Sequence, residues 1–377
     1  MGSTLQNVKK IKQRGNKMST KDKEVQDDTY INPADDDWGF VGGMDETVAH
    51  DDRLLPDNVA ASAINCGFIG VGGGGGKLAK AFLDLGFNKT LLVNTTDKDQ
   101  PAGVEASHFL NVPGADGVGK DVALGKKVLS DNSALVEDAC RSRLGKLDWL
   151  FVMAGGGGGT GSACHALDGA FSRYLKSLES EGSVVYVVTK PSAQELLNPS
   201  IETNYNTLLE DINDHPHIVI DNERQLQLLR GKVGMLNMYP AANATFAKLL
   251  GQVLKLADTP SDIAAFDSND LERCLRTSGR IFIGSTVIKD TSTRDLGSSV
   301  FQGCLKGSPC PSPTGQPETG VLLLLATSVM ASDPDVSNRL EACAAYVGGR
   351  TNTLFQGVYI NDKVPGLIAL VLFGGMN

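Results

Sequence analysis

From Ala63 onward, short runs of aliphatic and β-branched residues alternate with stretches whose apolar positions recur at helical spacing. This is the pattern of an α/β protein with a parallel sheet. Residues 64–71 predict a strand, 72–76 a glycine turn and 77–85 a helix. Further strands are expected at 90–94, at 147–153 leading into a second glycine run, at 183–189 and at 217–220. Helical patterns fall at 122–129, from the second glycine run through Leu175, and at 203–212. A long helix starts near Tyr239, with Phe246, Leu249, Leu250, Val253 and Leu256 on one stripe, and links two halves. Beyond it, 280–287, 320–327, 354–360 and 366–373 predict strands of a smaller sheet, with helices near 269–277 and 336–346. The segment 308–318 holds four prolines and predicts a surface loop.

Charge changes the picture at the N-terminus. Residues 1–23 carry seven Lys or Arg and one acid, whereas 24–57 carry eleven Asp or Glu and one Arg. Such segregation predicts a disordered, solvated extension over 1–60. Leu5, Val8 and Ile11 beside Lys9, Lys10, Lys12 and Arg14 keep open a short helix that meets a membrane surface or a partner. Over the whole chain 35 basic and 44 acidic residues leave a net charge of −9, which argues against broad binding to nucleic-acid phosphates. Seven dispersed cysteines form no C-x-x-C pair, and with five scattered histidines no metal cage is expected. No signal peptide is evident, and the longest apolar run, 321–326, is too short to cross a bilayer, so a soluble, cytoplasmic protein is expected.

Glycine carries the candidate chemistry. Gly70, Gly72 and Gly75 satisfy G-x-G-x-x-G between a strand and a helix, which makes a dinucleotide turn the first candidate. The acid such a turn needs after the second strand is replaced by Asn94, Thr95 and Thr96. A Walker A loop is excluded because Leu78 follows Gly76-Lys77 where a metal-binding hydroxyl belongs. A second run, Ala154-Gly155-Gly156-Gly157-Gly158-Gly159-Thr160-Gly161-Ser162, also joins a strand to a helix. Two such segments in one sheet suit a polyphosphate, to which glycine N–H groups and the hydroxyls of Thr160 and Ser162 can donate.

The second run resembles the glycine-rich signature of the tubulin and FtsZ superfamily of polymerising GTPases, with Ala163 where the last glycine of that signature stands. Similarity extends from Ile64 to Phe373 through Val93-Asn94-Thr95-Thr96-Asp97, Gly114-Ala115-Asp116-Gly117 with Gly125-Lys126-Lys127, and Val188-Thr189-Lys190-Pro191. The resemblance implies a Rossmann-like GTP-binding domain at 61–237, a central helix at 238–260 and a smaller α+β activation domain at 261–377. It implies GTP or GDP with Mg²⁺ as cofactors, with no residue assigned to the metal. Phosphate contacts are expected from Gly72, Gly73, Gly74, Gly75, Asn94, Gly114, Gly157, Gly158, Gly159, Thr160, Gly161 and Ser162. Glu195 would meet the ribose, Asn222 and Asn243 the base, and Tyr239 would stack on it; the residues alone equally fit a capped helix start at Tyr239 and Asn243.

Asp267 and Asp270 follow the long helix where the family carries its catalytic acids, although by themselves they fit a helix N-cap. The segments 353–362 and 367–373 resemble the final hairpin of FtsZ. The chain ends shortly after Phe373, without FtsZ's adaptor-docking tail, so an adaptor role is expected to fall to the N-terminal extension. The expected function is a GTP-hydrolysing cytoskeletal protein that polymerises with itself head to tail, binding neither nucleic acid nor, by a transmembrane segment, the membrane. Ala163, and Ala265 where FtsZ has an asparagine, keep open a GTP-dependent scaffold filament with little hydrolysis, and a Rossmann oxidoreductase is the third reading.

Overall fold

The alternating pattern builds ten strands and twelve helices in a computed structural model that describes residues 54–376. The charged segment at 1–53, including the Leu5, Val8 and Ile11 stripe and the expected adaptor site, lies outside the described residues. In chain order the first half comprises β1 (Cys66–Val71), α1 (Gly72–Leu83), β2 (Thr90–Asn94), β3 (Phe109–Asn111), α2 (Val122–Asp131), α3 (Ser133–Ala139), β4 (Trp149–Gly155), α4 (Gly159–Ser162), α5 (Asp168–Ser177), β5 (Val184–Lys190), α6 (Pro199–Ile212), β6 (His217–Asp221) and α7 (Asn222–Leu229). The long helix is α8 (Met238–Leu256). After it come α9 (Ser268–Leu275), β7 (Arg280–Ile288), α10 (Leu296–Gly307), β8 (Thr319–Ala326), α11 (Ser328–Ser332), α12 (Pro334–Gly348), β9 (Thr353–Ile360) and β10 (Leu367–Met376).

The ten strands form a single sheet in the order β3-β2-β1-β4-β5-β6-β7-β10-β8-β9. The six strands from β3 to β6 are parallel and covered on both faces, which is why β1, β2, β4 and β6 read as nearly continuous apolar runs. Successive side chains serve opposite faces. Phe68 and Phe151 pack with Phe82 of α1 and Phe246 of α8 on one side, while Ile69 and Val152 join Phe171, Tyr174 and Leu208 under α5 and α6 on the other. Phe68 stacks on Phe82 with ring centroids 4.4 Å apart, locking α1 onto the sheet. Among the described residues no helix is long and apolar enough to cross a membrane.

Several expectations are corrected. The glycines of 72–76 are not a turn before a helix; they are the first turns of α1 itself, which begins five residues earlier than the pattern predicts. The C-terminal strands are not a separate sheet, because β6 and β7 pair in parallel through His217 with Arg280 and Ile218 with Ile281. Nor do β9 and β10 form a hairpin: β8 lies between them, antiparallel to β10 and parallel to β9. Residues 54–60 are anchored to the domain at two points, where Leu55 and Ala60 are buried and the Leu55 N–H donates to the Arg143 carbonyl at 2.8 Å. The loop 308–318 also begins inside, where Ser308 is buried and donates its hydroxyl to the Ile283 carbonyl.

Candidate functional site

In open α/β sheets ligands bind beyond the carboxyl ends of the parallel strands. Here the ends of β1, β2, β4, β5 and β6 open onto one cavity of about 490 Å³, within the range of about 300–1,000 Å³ usual for small-molecule sites. Its floor exists because of glycine. A Cβ on Gly75 would stand 2.2 Å from the Met153 carbonyl oxygen, and one on Gly161 would stand 2.5 Å from that of Gly155. Gly72 has φ of +71°, and a Cβ there would meet the Gly161 nitrogen at 2.8 Å. The first turn of α1 therefore lies directly against the end of β4 and the second glycine run.

At that contact Gly73 and Gly74 line the cavity, and N–H groups in the first turn of α1 have no intrahelical acceptor and carry the positive end of the helix dipole. Gly155 to Thr160 and Gly161 form the adjoining wall. Two cross-links hold this wall in place. The Thr95 and Thr160 hydroxyls are 2.9 Å apart and buried, and the Gly159 N–H donates to the Gly119 carbonyl at 2.8 Å. Asn204 of α6 donates to the Lys120 carbonyl at 3.0 Å, fixing the 117–120 loop from the far side.

The opposite end of the cavity is lined by Glu195, Asn222, Tyr239 and Asn243. Tyr239 and Asn243 are one turn apart on α8, while Asn222 starts α7, whose N-cap Asp221 accepts from the Arg224 N–H at 3.2 Å and pairs with Lys190 at 3.0 Å. One Glu195 carboxylate oxygen accepts from the N–H and hydroxyl of Ser192, both at 2.8 Å, which orients it. Partial burial, then the nearby Glu195 charge, pushes the Tyr239 phenol above its ordinary pKa and keeps it protonated.

Of the residues expected from sequence, Gly73, Gly74, Asn94, Gly157, Gly158, Gly159, Thr160, Gly161, Glu195, Asn222, Tyr239 and Asn243 line the cavity. Gly72, Gly75, Gly114 and Ser162 do not. Gly72 and Gly75 are buried in the contact beneath the cavity, and Gly114 faces Val128 of α2. Ser162 is fully buried, and its hydroxyl has no hydrogen-bond partner among the described residues. Lining residues missed by sequence reasoning include Lys77, Thr95, Thr96, Asp99, Pro191 and the stretch Gly117-Val118-Gly119-Lys120. That last stretch places the loop contact three residues beyond Gly114. The signal available was its own Gly-x-Gly-Lys composition. Lys77 and Lys120 supply positive charge suited to phosphate, and the Asp99 carboxylate reaches over Gly73, where a Cβ would lie 2.9 Å from its Oδ2. A carboxylate beside a phosphate-sized, glycine-lined floor fits the oxygen-donor preference of Mg²⁺.

Ala163 is accommodated without strain. Its φ of −94° and ψ of 4° suit any residue, and its buried methyl faces Gly125 of α2, where an added Cβ would be 3.0 Å away. Asp267 and Asp270 are remote from this cavity, since the 19-residue α8, about 28 Å long, separates Tyr239 at its start from the segment that carries them. Asp267 caps α9, accepting from the Asp270 N–H at 2.9 Å. Burial, then the neighbouring Asp267, raises the Asp270 carboxyl above its usual pKa, while Arg273 at 3.9 Å opposes the shift.

No protein-family model matches the chain. A curated cell division protein FtsZ from Wigglesworthia glossinidia brevipalpis is 23% identical over 235 residues, 62% of this chain and 59% of the relative's length. Among solved structures, the GTPγS-bound protofilament of CetZ2 from Haloferax volcanii matches with a TM-score of 0.67 and 23% identity, covering 83% of this chain and 94% of that one. The GTPγS-form protofilament of Bacillus thuringiensis serovar israelensis TubZ matches with a TM-score of 0.68 at 20% identity over 84% and 89%, and the empty FtsZ dimer of M. jannaschii with 0.62 at 17% over 82% and 87%. Sequence and structure agree on one class, and the chain has the fold of the tubulin/FtsZ superfamily. The chain is similar to structures of CetZ, TubZ and FtsZ with TM-scores of 0.62–0.68, and the resemblance read from the second glycine run is shown at the level of fold.

Proposed function

We propose that the chain binds GTP or GDP in the glycine-floored cavity, assembles head to tail with copies of itself, and hydrolyses GTP at the junction. The observation that carries this reading is one cavity with two glycine segments, Lys77 and Lys120 at one end and Tyr239, Asn243 and Asn222 at the other. That polarity suits a purine nucleotide, with phosphates on backbone N–H groups and the base beside an aromatic ring flanked by amides. Asp99 would face a Mg²⁺ ion, which when bound supplies charge neutralisation to the phosphates. Within one molecule Asp267 and Asp270 are a long helix away from the cavity, so their expected catalytic role requires a second copy to present them. Relatives solved as GTPγS protofilaments support that stacking. Positioning water against the terminal phosphate is then the task of these carboxylates.

Phosphate release measured against protein concentration, with GTP and Mg²⁺ and parallel sedimentation, tests the reading. Wild-type turnover per subunit is expected to rise from a threshold concentration and to fall at least tenfold in Asp270→Ala while GTP binding persists. A rate per subunit independent of concentration overturns the shared site. Sedimenting filaments without turnover in either protein favour instead a scaffold, the reading to which Ala265 ahead of the acids points.

A further inference from the structure

Away from the cavity, on the sheet face covered by α5 and α6, three residues that the sequence scatters come together. His165 lies in the 3-10 turn after α4, Asp168 begins α5, and His215 lies in the loop entering β6. The Nε2 atoms of His165 and His215 face each other at 3.2 Å. One donor atom from each of the three residues lies within 4.8 Å of the other two. The Tyr186 hydroxyl donates to Asp168 Oδ1 at 2.9 Å, which holds the carboxylate, and the same oxygen is 3.8 Å from His215 Nδ1. The His215 and Asp168 side chains keep 30% and 23% exposure, so an ion can reach them from solvent.

Two nitrogen ligands about 2.0–2.1 Å from a tetrahedral zinc stand roughly 3.3 Å apart. The imidazole pair already has that spacing, and a carboxylate oxygen of Asp168 lies within 4.8 Å of a ring nitrogen of each. We propose that His165, His215 and Asp168 form a binding site for a divalent cation of the zinc class, with water completing the tetrahedron. Asp168 then uses one oxygen for the metal while Tyr186 holds the other, the outer-shell arrangement that orients carboxylate ligands. His165 is half-buried, its ring set beside His215. Asp168 and Asp211 face it as acids and Lys126 as a cation, the last paired with Asp211. Cys164, next to His165 in sequence, is fully buried and does not converge with the three donor residues. Occupied, the site ties the segment leaving the second glycine run to a loop 50 residues further along the chain.

Titration of the chelator-treated full chain with Zn²⁺ against a competing chromophoric chelator is expected to give one site per chain. Co²⁺ in its place is expected to give the visible bands of a tetrahedral site without a thiolate charge-transfer band. His215→Gln should abolish the site, Asp168→Asn should weaken it at least tenfold, and Zn²⁺ should raise the thermal midpoint of the wild type but not of His215→Gln. Far-ultraviolet circular dichroism checks that each variant is folded, and His165→Gln serves if His215→Gln is not. Stoichiometry unchanged in the folded histidine variants, a thiolate band with Co²⁺, or no saturable binding would overturn the proposal and leave the pair as an imidazole hydrogen bond.

Discussion

The two glycine runs look alike in sequence, yet they serve the fold differently. In the first, Gly75 is pressed against the Met153 carbonyl, whereas a Cβ added to Gly158 in the second would have nothing within 4 Å, and this residue opens onto the cavity. One run is mostly about letting a helix start touch a strand end. The other divides its positions between tight backbone contacts, at Gly159 and Gly161, side-chain contact with Ile201, at Gly157, and open wall, at Gly158. The difference shows that a glycine-rich motif mixes steric necessity with ligand access, residue by residue, and only the neighbours of each glycine tell which is which.

That contrast is sharpest at Gly75→Ala. Its added carbon collides with backbone that cannot swing aside, and urea denaturation should show a loss of about 3 kcal/mol or more, or no folded protein. Gly125→Ala in α2 probes the tight packing against the second run, since its Cβ would meet the Gly159 carbonyl at 2.7 Å and the Ala163 methyl at 3.0 Å. A loss of about 1–3 kcal/mol is expected, part of it recovered when Ala163→Gly is added in a double-mutant cycle. At the open wall the balance reverses: Gly158→Ala should leave unfolding free energy within about 0.5 kcal/mol while lowering GTP affinity, read by fluorescence titration of a labelled nucleotide. If Gly158→Ala instead destabilised the fold as Gly75→Ala does, the distinction between the two runs would collapse.

Much of the fold was legible in the chain. The parallel strands announced themselves because both faces of the sheet are covered, and the matching stripe on α8 follows from its burial against Phe82. The start of α1 was not legible, since five glycines argue against a helix on propensity alone and only the contact with β4 overrides that. Helix α10 was likewise missed: its three glycines blur the stripe, and one of them, Gly303, is required by Thr286 of β7, where a Cβ would meet the hydroxyl at 2.4 Å. The hairpin expectation failed because strand partners are non-local, and adjacency in sequence says nothing of β8 passing between β9 and β10.

At the site the pattern is similar. Glycines stood out by composition and the Tyr239 and Asn243 pair through the family resemblance, whereas Asp99 and the 117–120 loop have meaning only once β1, β2 and β4 bring their ends together. His165 and His215 are the extreme case, 50 residues apart and unremarked by any spacing rule.

The seam at β6 and β7 has a mechanical meaning. Only two residue pairs stitch the parallel strands to the mixed ones there, against eight pairs between β8 and β9. With so narrow a waist, torque applied to the outer strands passes into the other half through α8 and through bonds that cross the crease, such as the Asp221 N–H to the Pro309 carbonyl and the Arg224 guanidinium to the Leu305 carbonyl. In the head-to-tail assembly proposed above, that crease would let part of any bending fall within each subunit rather than only at the joints between them.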